Sequence, residues 1–298
     1  MTAKLGGVLS ALVIPFAADN SIDEARLRDV VDHNIAGGVH GVVACGSTGE
    51  FATMTPDERR RVVEIVVDQT AGRVPVVAQT GAVNTLEAIA LSKHAAAQGV
   101  DALMVVTPYY EALSMQETLH YLRRVASSVD VPIMLYNLPA ATGVNLEPAI
   151  VGQLAREVEN IKYIKDTSAD MAQAGRLIHH YGDVISTFVG WDSLLLAALT
   201  EGAAGVMCGT ANALAPQLVA VHDAIRAGDP ARARAEWDRI YPLMDTIMSS
   251  AFIQAVKATC AAIGFPVGVT REPLLGLDAE TTSAIAAHVS RLGLRIGA

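Results

Sequence analysis

The segment Ile161-Lys162-Tyr163-Ile164-Lys165-Asp166-Thr167-Ser168 sets a lysine at the end of an alternating run. Ile161, Tyr163 and Lys165 alternate with Lys162, Ile164 and Asp166, and this period of two predicts a short strand. Asp166, Thr167 and Ser168 then offer N-cap side chains to a helix over 169–181, so Lys165 stands at the carboxyl end of a strand that feeds a helix. In an alternating β/α chain that is where chemistry is done. A lysine in such a place attacks a carbonyl as a neutral amine, which requires apolar surroundings to pull its pKa down from about 10.4. Lysines at strand ends more often reach solvent, so the residues that accompany Lys165 decide the reading.

Tyr136 closes the neighbouring strand at the matching level and supplies a phenol that moves protons on and off a carbinolamine. Taken alone it is equally a barrel tyrosine with a satisfied hydroxyl. Gly46-Ser47-Thr48-Gly49 lets backbone N–H groups and two hydroxyls approach a ligand, which suits a carboxylate, although the same string alone is an ordinary polar turn. Glu50 reads as a holder of that loop, and Cys45 as packing rather than as a nucleophile.

The elements that must position these groups follow a regular order. Strands are expected over 8–16, 40–45, 74–79, 101–107, 131–137, 160–165, 184–189 and 205–208, with amphipathic helices between them. Eight strands alternating with helices through short loops predict a closed (β/α)8 TIM barrel. An open doubly wound sheet is the alternative, but no G-x-G-x-x-G follows the first strand. Beyond residue 229 there is no strand signal. Helices over 231–249, 251–263 and 281–292 make a C-terminal three-helix appendage, dividing the chain into a catalytic barrel at 1–228 and a helical region at 229–298. In a parallel barrel all strand ends open on one face, so the loops beginning at Gly46, Thr107, Tyr136, Lys165, Gly190 and Gly209 converge.

Composition narrows the function class. Of 298 residues, 51% are hydrophobic and 18% charged but only 5% aromatic, so a large aliphatic core is expected. A net charge of −9 and the lack of a basic run argue against nucleic-acid binding. No apolar run reaches the ~18 residues of a membrane span, so a cytoplasmic protein without membrane attachment is expected. Three scattered cysteines read as reduced thiols, and the eight histidines form no ligand motif, so no metal is expected.

Four motifs in order, GSTGE (46–50), TPYY (107–110), LYNLPAATG (135–143) and IKDTS (164–168), resemble the dihydrodipicolinate synthase/N-acetylneuraminate lyase family, and the resemblance extends across essentially the whole chain. It implies a (β/α)8 barrel, a homotetramer built as a dimer of dimers, and a lysine that forms a Schiff base with pyruvate or another 2-oxo acid. No cofactor is implied, because the imine on Lys165 takes that part. Lys165 matches the imine lysine, Tyr136 the proton-relay tyrosine, Ser47 and Thr48 the carboxylate holders, and Tyr110 a tyrosine lent across a dimer interface in the synthases. Thr167, Gly190 and Asp192 resemble positions that bind the hydroxylated tail of sugar-acid substrates in the lyases, and Gly209 stands at a further substrate-binding position.

The chain also departs from the family's two best-known patterns. Ala141 stands where the synthases carry an arginine for the aldehyde's carboxylate, which weakens the alternative of a 4-hydroxy-tetrahydrodipicolinate synthase condensing pyruvate with aspartate semialdehyde. Ser193 replaces the glutamate usual in neuraminate lyases, and Gly209 their serine. The resemblance therefore implies a lyase acting on pyruvate or a 2-keto-3-deoxy sugar acid by retro-aldol cleavage or dehydration. Two other readings remain: a phosphate-binding barrel using Gly209-Thr210-Ala211-Asn212 at a helix N-terminus, and a non-catalytic barrel.

Overall fold

The computed structural model describes residues 5–294. Its eight strands are β1 Gly7–Ala11, β2 Gly41–Ala44, β3 Val76–Gln79, β4 Ala102–Val106, β5 Ile133–Asn137, β6 Ile161–Asp166, β7 Ser186–Val189 and β8 Gly205–Cys208. They pair in parallel in chain order and close through β1 and β8. Burial on both faces explains why these strands are almost continuously apolar: the helices cover the outside, and side chains fill the lumen. The expected (β/α)8 barrel is therefore the fold.

Register sets which residues share a level. Tyr136 of β5 pairs with Lys165 of β6, which pairs with Phe188 of β7, so all three project from one layer of the barrel. One layer below, the Tyr163 ring meets Phe188 edge-on at 6.1 Å, and its hydroxyl accepts the Leu5 N–H at 3.3 Å. These aromatic rings fill the lumen beneath the lysine, leaving it open only toward the carboxyl ends of the strands.

Most helix starts follow capping chemistry readable in the chain. Thr55 with Glu58, and Ser114 with Glu117, form capping boxes before Pro56–Thr70 and Met115–Ala126. Three boundaries differ from expectation. The first strand stops at Ala11 rather than 16, because the Val13 N–H is taken by the Asn212 side chain and Phe16 bridges antiparallel to Ile22 and Val269. The helix after β6 is capped by Asp170, which accepts from Ala172 N–H at 2.8 Å, and not by the residues just after Lys165. Asp166 is still within the strand, its carboxylate spent on Asn137, Ser168 and Gln173. After β8, where the sequence predicts a helix only from 214, the helix begins at Ala211 and kinks at Leu214, just before Pro216.

Beyond Arg226 come the helices Pro230–Met248, Phe252–Ala262 and Ala279–Leu292. Trp237, Ile240, Leu243 and Ile247 of the first are buried in the same core as the barrel helices. The tail is also fastened ionically. Lys257 Nζ lies 2.6 Å from Glu50 Oε1 and donates to the carbonyls of Ile14 and Val269, while the Arg271 N–H donates to Glu50 Oε2 at 2.8 Å. Burial pushes the Lys257 amine below its usual range, and Glu50 opposes that shift. Removing one partner of such a pair strands a charge, so Lys257→Ala is expected to lower stability by ~3–5 kcal/mol, read as a lower denaturant midpoint. Joint replacement by Glu50→Gln and Lys257→Met should fall short of the summed single losses. Among the described residues, no helix is long and apolar enough to cross a membrane.

Candidate active site

A cavity of about 320 Å³ opens at the carboxyl end of the barrel, and Lys165 forms part of its wall. Lys165 is 5% exposed, and its Nζ lies 4.2 Å from the centroid of the Tyr136 ring. The Tyr136 hydroxyl is 3.2 Å from Ser47 Oγ, so amine, phenol ring and hydroxyl follow one another across strands β6, β5 and the loop after β2.

The strands hold this line through their outward-facing residues. Asn137 and Asp166, each one position beyond a reactive residue, are register partners, and Asn137 Nδ2 donates to Asp166 Oδ1 at 2.9 Å. Asn137 Oδ1 accepts the Leu146 N–H, its carbonyl accepts the Thr167 N–H, and Gln173 Nε2 donates to Asp166. Burial pushes the Asp166 carboxyl up, and these hydrogen bonds pull it back. The clamp fixes Tyr136 and Lys165 by locking the residue that follows each of them. It was missed at the level of sequence, although the dipeptides Tyr136-Asn137 and Lys165-Asp166 carried it.

The loop after β2 turns tightly. Cys45 and Glu50 bracket it with φ near 57°, Gly49 N–H donates to Gly46 O, and Glu50 N–H donates to Ser47 O. The N–H groups of Ser47 and Thr48 have no partner among the described residues, and both residues line the cavity. That suits a carboxylate set beside the Tyr136 hydroxyl.

On the opposite wall, Gly190 has a strict reason to be glycine. A Cβ there would stand 2.4 Å from Lys165 Cε and 2.3 Å from Thr167 Oγ1. Lysine and threonine thus occupy the space of the missing side chain. The Thr167 hydroxyl is buried without a protein partner and is available to substrate oxygen. Asp192 is buried, and its Oδ2 accepts from both the N–H and the hydroxyl of Thr210 at 2.8 and 2.7 Å. Burial raises its carboxyl pKa, while those Thr210 bonds and the nearby Lys165 lower it. Gly209 sits where a Cβ would come 2.7 Å from Thr48 Oγ1 and 2.8 Å from the Phe252 ring.

The cavity thus gathers Ser47, Thr48, Tyr136, Lys165, Thr167, Gly190, Asp192 and Gly209. Tyr110 is not among them: it is 84% exposed on the loop after β4, while its neighbour Tyr109 packs edge-on against Phe51. Leu138, Trp191 and Met207 of the barrel complete the wall together with Met248, Phe252, Ile253 and Gln254, which come from the tail and were not foreseen as part of the site. Their apolar character was visible in the chain, but nothing local shows which apolar helix face roofs a cavity.

Other reactive groups lie elsewhere. Burial pushes the Cys45 thiol up to about 11 and Cys208 well above its usual range, which keeps both protonated and poor as nucleophiles. His40, His222 and Asp223 bring ligand atoms within 4.8 Å of one another at the opposite end of the barrel. There His40 Nδ1 accepts the Val8 N–H, so the neutral ring carries its proton on the other nitrogen and offers a metal no lone pair.

Comparison with known proteins agrees with the fold. The model of the dihydrodipicolinate synthetase family matches residues 4–292. A DapA-like lyase of Halobacterium salinarum is 37% identical over 290 residues, covering 97% of this chain and 95% of the relative. The 4-hydroxy-tetrahydrodipicolinate synthase of Symbiobacterium thermophilum is 37% identical over 289 residues, covering 97% and 98%. Among solved structures, a prophage protein of the dihydrodipicolinic acid synthase family from E. coli K12, in complex with pyruvate, superposes with a TM-score of 0.93 at 31% identity, covering 98% of this chain and 100% of that one. A Clostridium difficile protein in complex with mannosamine gives 0.91 at 28% identity, covering 97% and 100%.

Proposed function

The chain belongs to the dihydrodipicolinate synthetase family and is a lyase of that kind, and on that premise we propose that Lys165 forms a Schiff base with pyruvate or a 2-keto-3-deoxy sugar acid. The observation that carries the proposal is the line from Lys165 Nζ across the Tyr136 ring to Ser47, beside the unpartnered N–H groups of a turn. The structural neighbour in complex with pyruvate supports the 2-oxo acid half.

The chemistry follows from the placement. Lys165 adds to the C2 carbonyl while the carboxylate rests on Ser47 and Thr48. Loss of water from the carbinolamine leaves a protonated imine, with Tyr136 delivering and taking back the proton. For cleavage, the C4 hydroxyl loses its proton, the C3–C4 bond breaks, and its electron pair enters the imine to give an enamine and an aldehyde. Protonation at C3 and hydrolysis then release pyruvate and regenerate the amine. For dehydration, the same imine acidifies C3, and hydroxide leaves from the neighbouring carbon with a proton. Lys165 is the electron sink, so no cofactor enters either route.

Incubation with pyruvate and borohydride tests this. An intact-mass gain mapped to the Lys165 peptide is expected; no adduct with pyruvate or a 2-keto-3-deoxy acid would remove the mechanism. Tyr136→Phe should lower turnover by about 10²–10⁴-fold while leaving the fold intact, as the loss of a proton relay predicts. A phosphate-binding barrel is disfavoured, because the Thr210 N–H and hydroxyl at that helix N-terminus are already held by the Asp192 carboxylate.

The assembly reading is a homotetramer in which Tyr110 reaches the site of a second subunit. Its support is an apolar hollow of about 470 Å³ beside Ser47, lined by Phe51, Val106, Tyr109 and Leu274, which would accept an aromatic ring. Val83, Leu86 and Tyr110 also expose apolar surface on the segments after β3 and β4. Sedimentation should show about four subunits; a monomer would end the cross-subunit role of Tyr110. Three free, buried thiols favour a reducing cytoplasm.

A further inference from the structure

The two ends of the cavity differ in chemistry. Around Lys165 stand the hydroxyls of Ser47, Thr48, Tyr136 and Thr167. The remaining wall is formed mainly by Leu138, Trp191, Met207, Met248, Phe252 and Ile253. Among the described residues, Lys165 is the only cation in the lining and Asp192 the only carboxylate. Once the lysine carries the imine, its charge is held at C2 beside the substrate's own carboxylate, so no second cation meets a carboxylate or a phosphate on the distal half of a substrate, and burying an unpaired charge there is unfavourable.

A polyhydroxylated tail fares little better, because each buried hydroxyl needs a partner. Thr167 Oγ1 and Lys165 Cε lie 2.3 and 2.4 Å from the point where a Gly190 Cβ would stand, so that hydroxyl serves an oxygen next to the imine and not a tail. Asp192 has one oxygen committed to Thr210 and is itself deeply buried. Among the described residues, the Gln254 amide and the Trp191 indole N–H are the polar groups left in the lining for everything further out. Area removed from water is what the Trp191, Met248, Phe252 and Ile253 surfaces reward.

We propose that the aldehyde half of the substrate is apolar, an aryl or alkyl group without charge, so that the enzyme makes or cleaves 4-hydroxy-2-oxo acids with an apolar substituent on C4. This inference rests on the Schiff-base reading and selects among its substrates. In the synthetic direction the Lys165–pyruvate enamine attacks the aldehyde carbon through C3, and the new C–C bond forms as the carbonyl oxygen takes a proton from Tyr136. Hydrolysis of the imine consumes the water released when it formed. Thr167 and the free oxygen of Asp192 face the new C4 hydroxyl, and the flat group beyond it lies against the aromatic and thioether wall.

The test is acceptor competition on the wild-type enzyme with pyruvate held constant, using benzaldehyde, glyceraldehyde and succinic semialdehyde. Product formation should favour benzaldehyde over both by at least about tenfold in kcat/KM, the scale on which an apolar pocket discriminates. Met248→Lys places a cation at the last turn of its helix, where a positive charge is tolerated. That variant should lower the benzaldehyde rate about tenfold and raise the succinic semialdehyde rate, as pairing a charge in a pocket predicts. A pyruvate adduct on Lys165 together with equal or better use of glyceraldehyde or succinic semialdehyde overturns the apolar half and leaves the lysine chemistry standing. Absence of any adduct overturns both. Equal loss on all aldehydes in Met248→Lys shows that the wall does not select, and also overturns the inference.

Discussion

Replacing Lys165 by Ala is expected to lower turnover by at least ~10⁴-fold, because the covalent route disappears with the nucleophile and the remaining groups act as one unit with it. Borohydride trapping should vanish in the same variant. The protein should stay folded: the lost side chain borders an open cavity, and its neighbours are held by other bonds, Asn137 to Asp166 on one side and the Gly190 N–H to the Asp166 carbonyl on the other. Lys165→Arg should be equally inactive, since a guanidinium keeps its charge and cannot act as a neutral amine. Unchanged thermal unfolding with a lost adduct is the decisive combination. A variant that retains more than a few per cent of activity would show that Lys165 only neutralises the substrate.

Gly190→Ala should also be strongly damaging although it removes nothing. The added methyl stands 2.3 Å from Thr167 Oγ1 and 2.4 Å from Lys165 Cε, inside van der Waals contact with both. The lysine stem, met at both Cγ and Cε, yields only by moving Nζ off the Tyr136 ring. Displacement of a reacting group by about 1 Å costs ~10²-fold in rate, which is the loss expected. Imine trapping should slow in parallel, while circular dichroism remains native. Normal trapping kinetics in Gly190→Ala would mean that the lysine has another rotamer from which it reacts.

The barrel was legible because its signal repeats: an apolar run, a turn and a helix recur eight times, five of those helices starting on a side-chain cap, and no single boundary decides the topology. Boundaries failed where a side chain from far away took over a local role. Asn212 ended β1 by claiming the Val13 N–H, and Asn137 drew Asp166 out of a capping role. Site residues at strand ends could be read because strand order alone brings them to one face. The clamp of Asn137 and Asp166 was hidden in residues that look like loop formers. Met248, Phe252 and Ile253 were hidden for a different reason: an apolar helix face announces burial but not what it is buried against.

On the proposed reading, chemistry and much of the selectivity come from different parts of the chain. The barrel carries Lys165, Tyr136 and the Ser47–Thr48 turn; Met248, Phe252, Ile253 and Gln254, contributed by the C-terminal helices, complete the distal wall. A chimera could therefore inherit its reaction from one parent and its substrate range from another. The splice point is constrained, because Lys257 and Arg271 hold Glu50 directly behind the carboxylate turn. A transplanted tail lacking Lys257 would leave that acid buried without its counterpart, and the damage would surface as weakened 2-oxo acid binding, far from the wall the graft was meant to change.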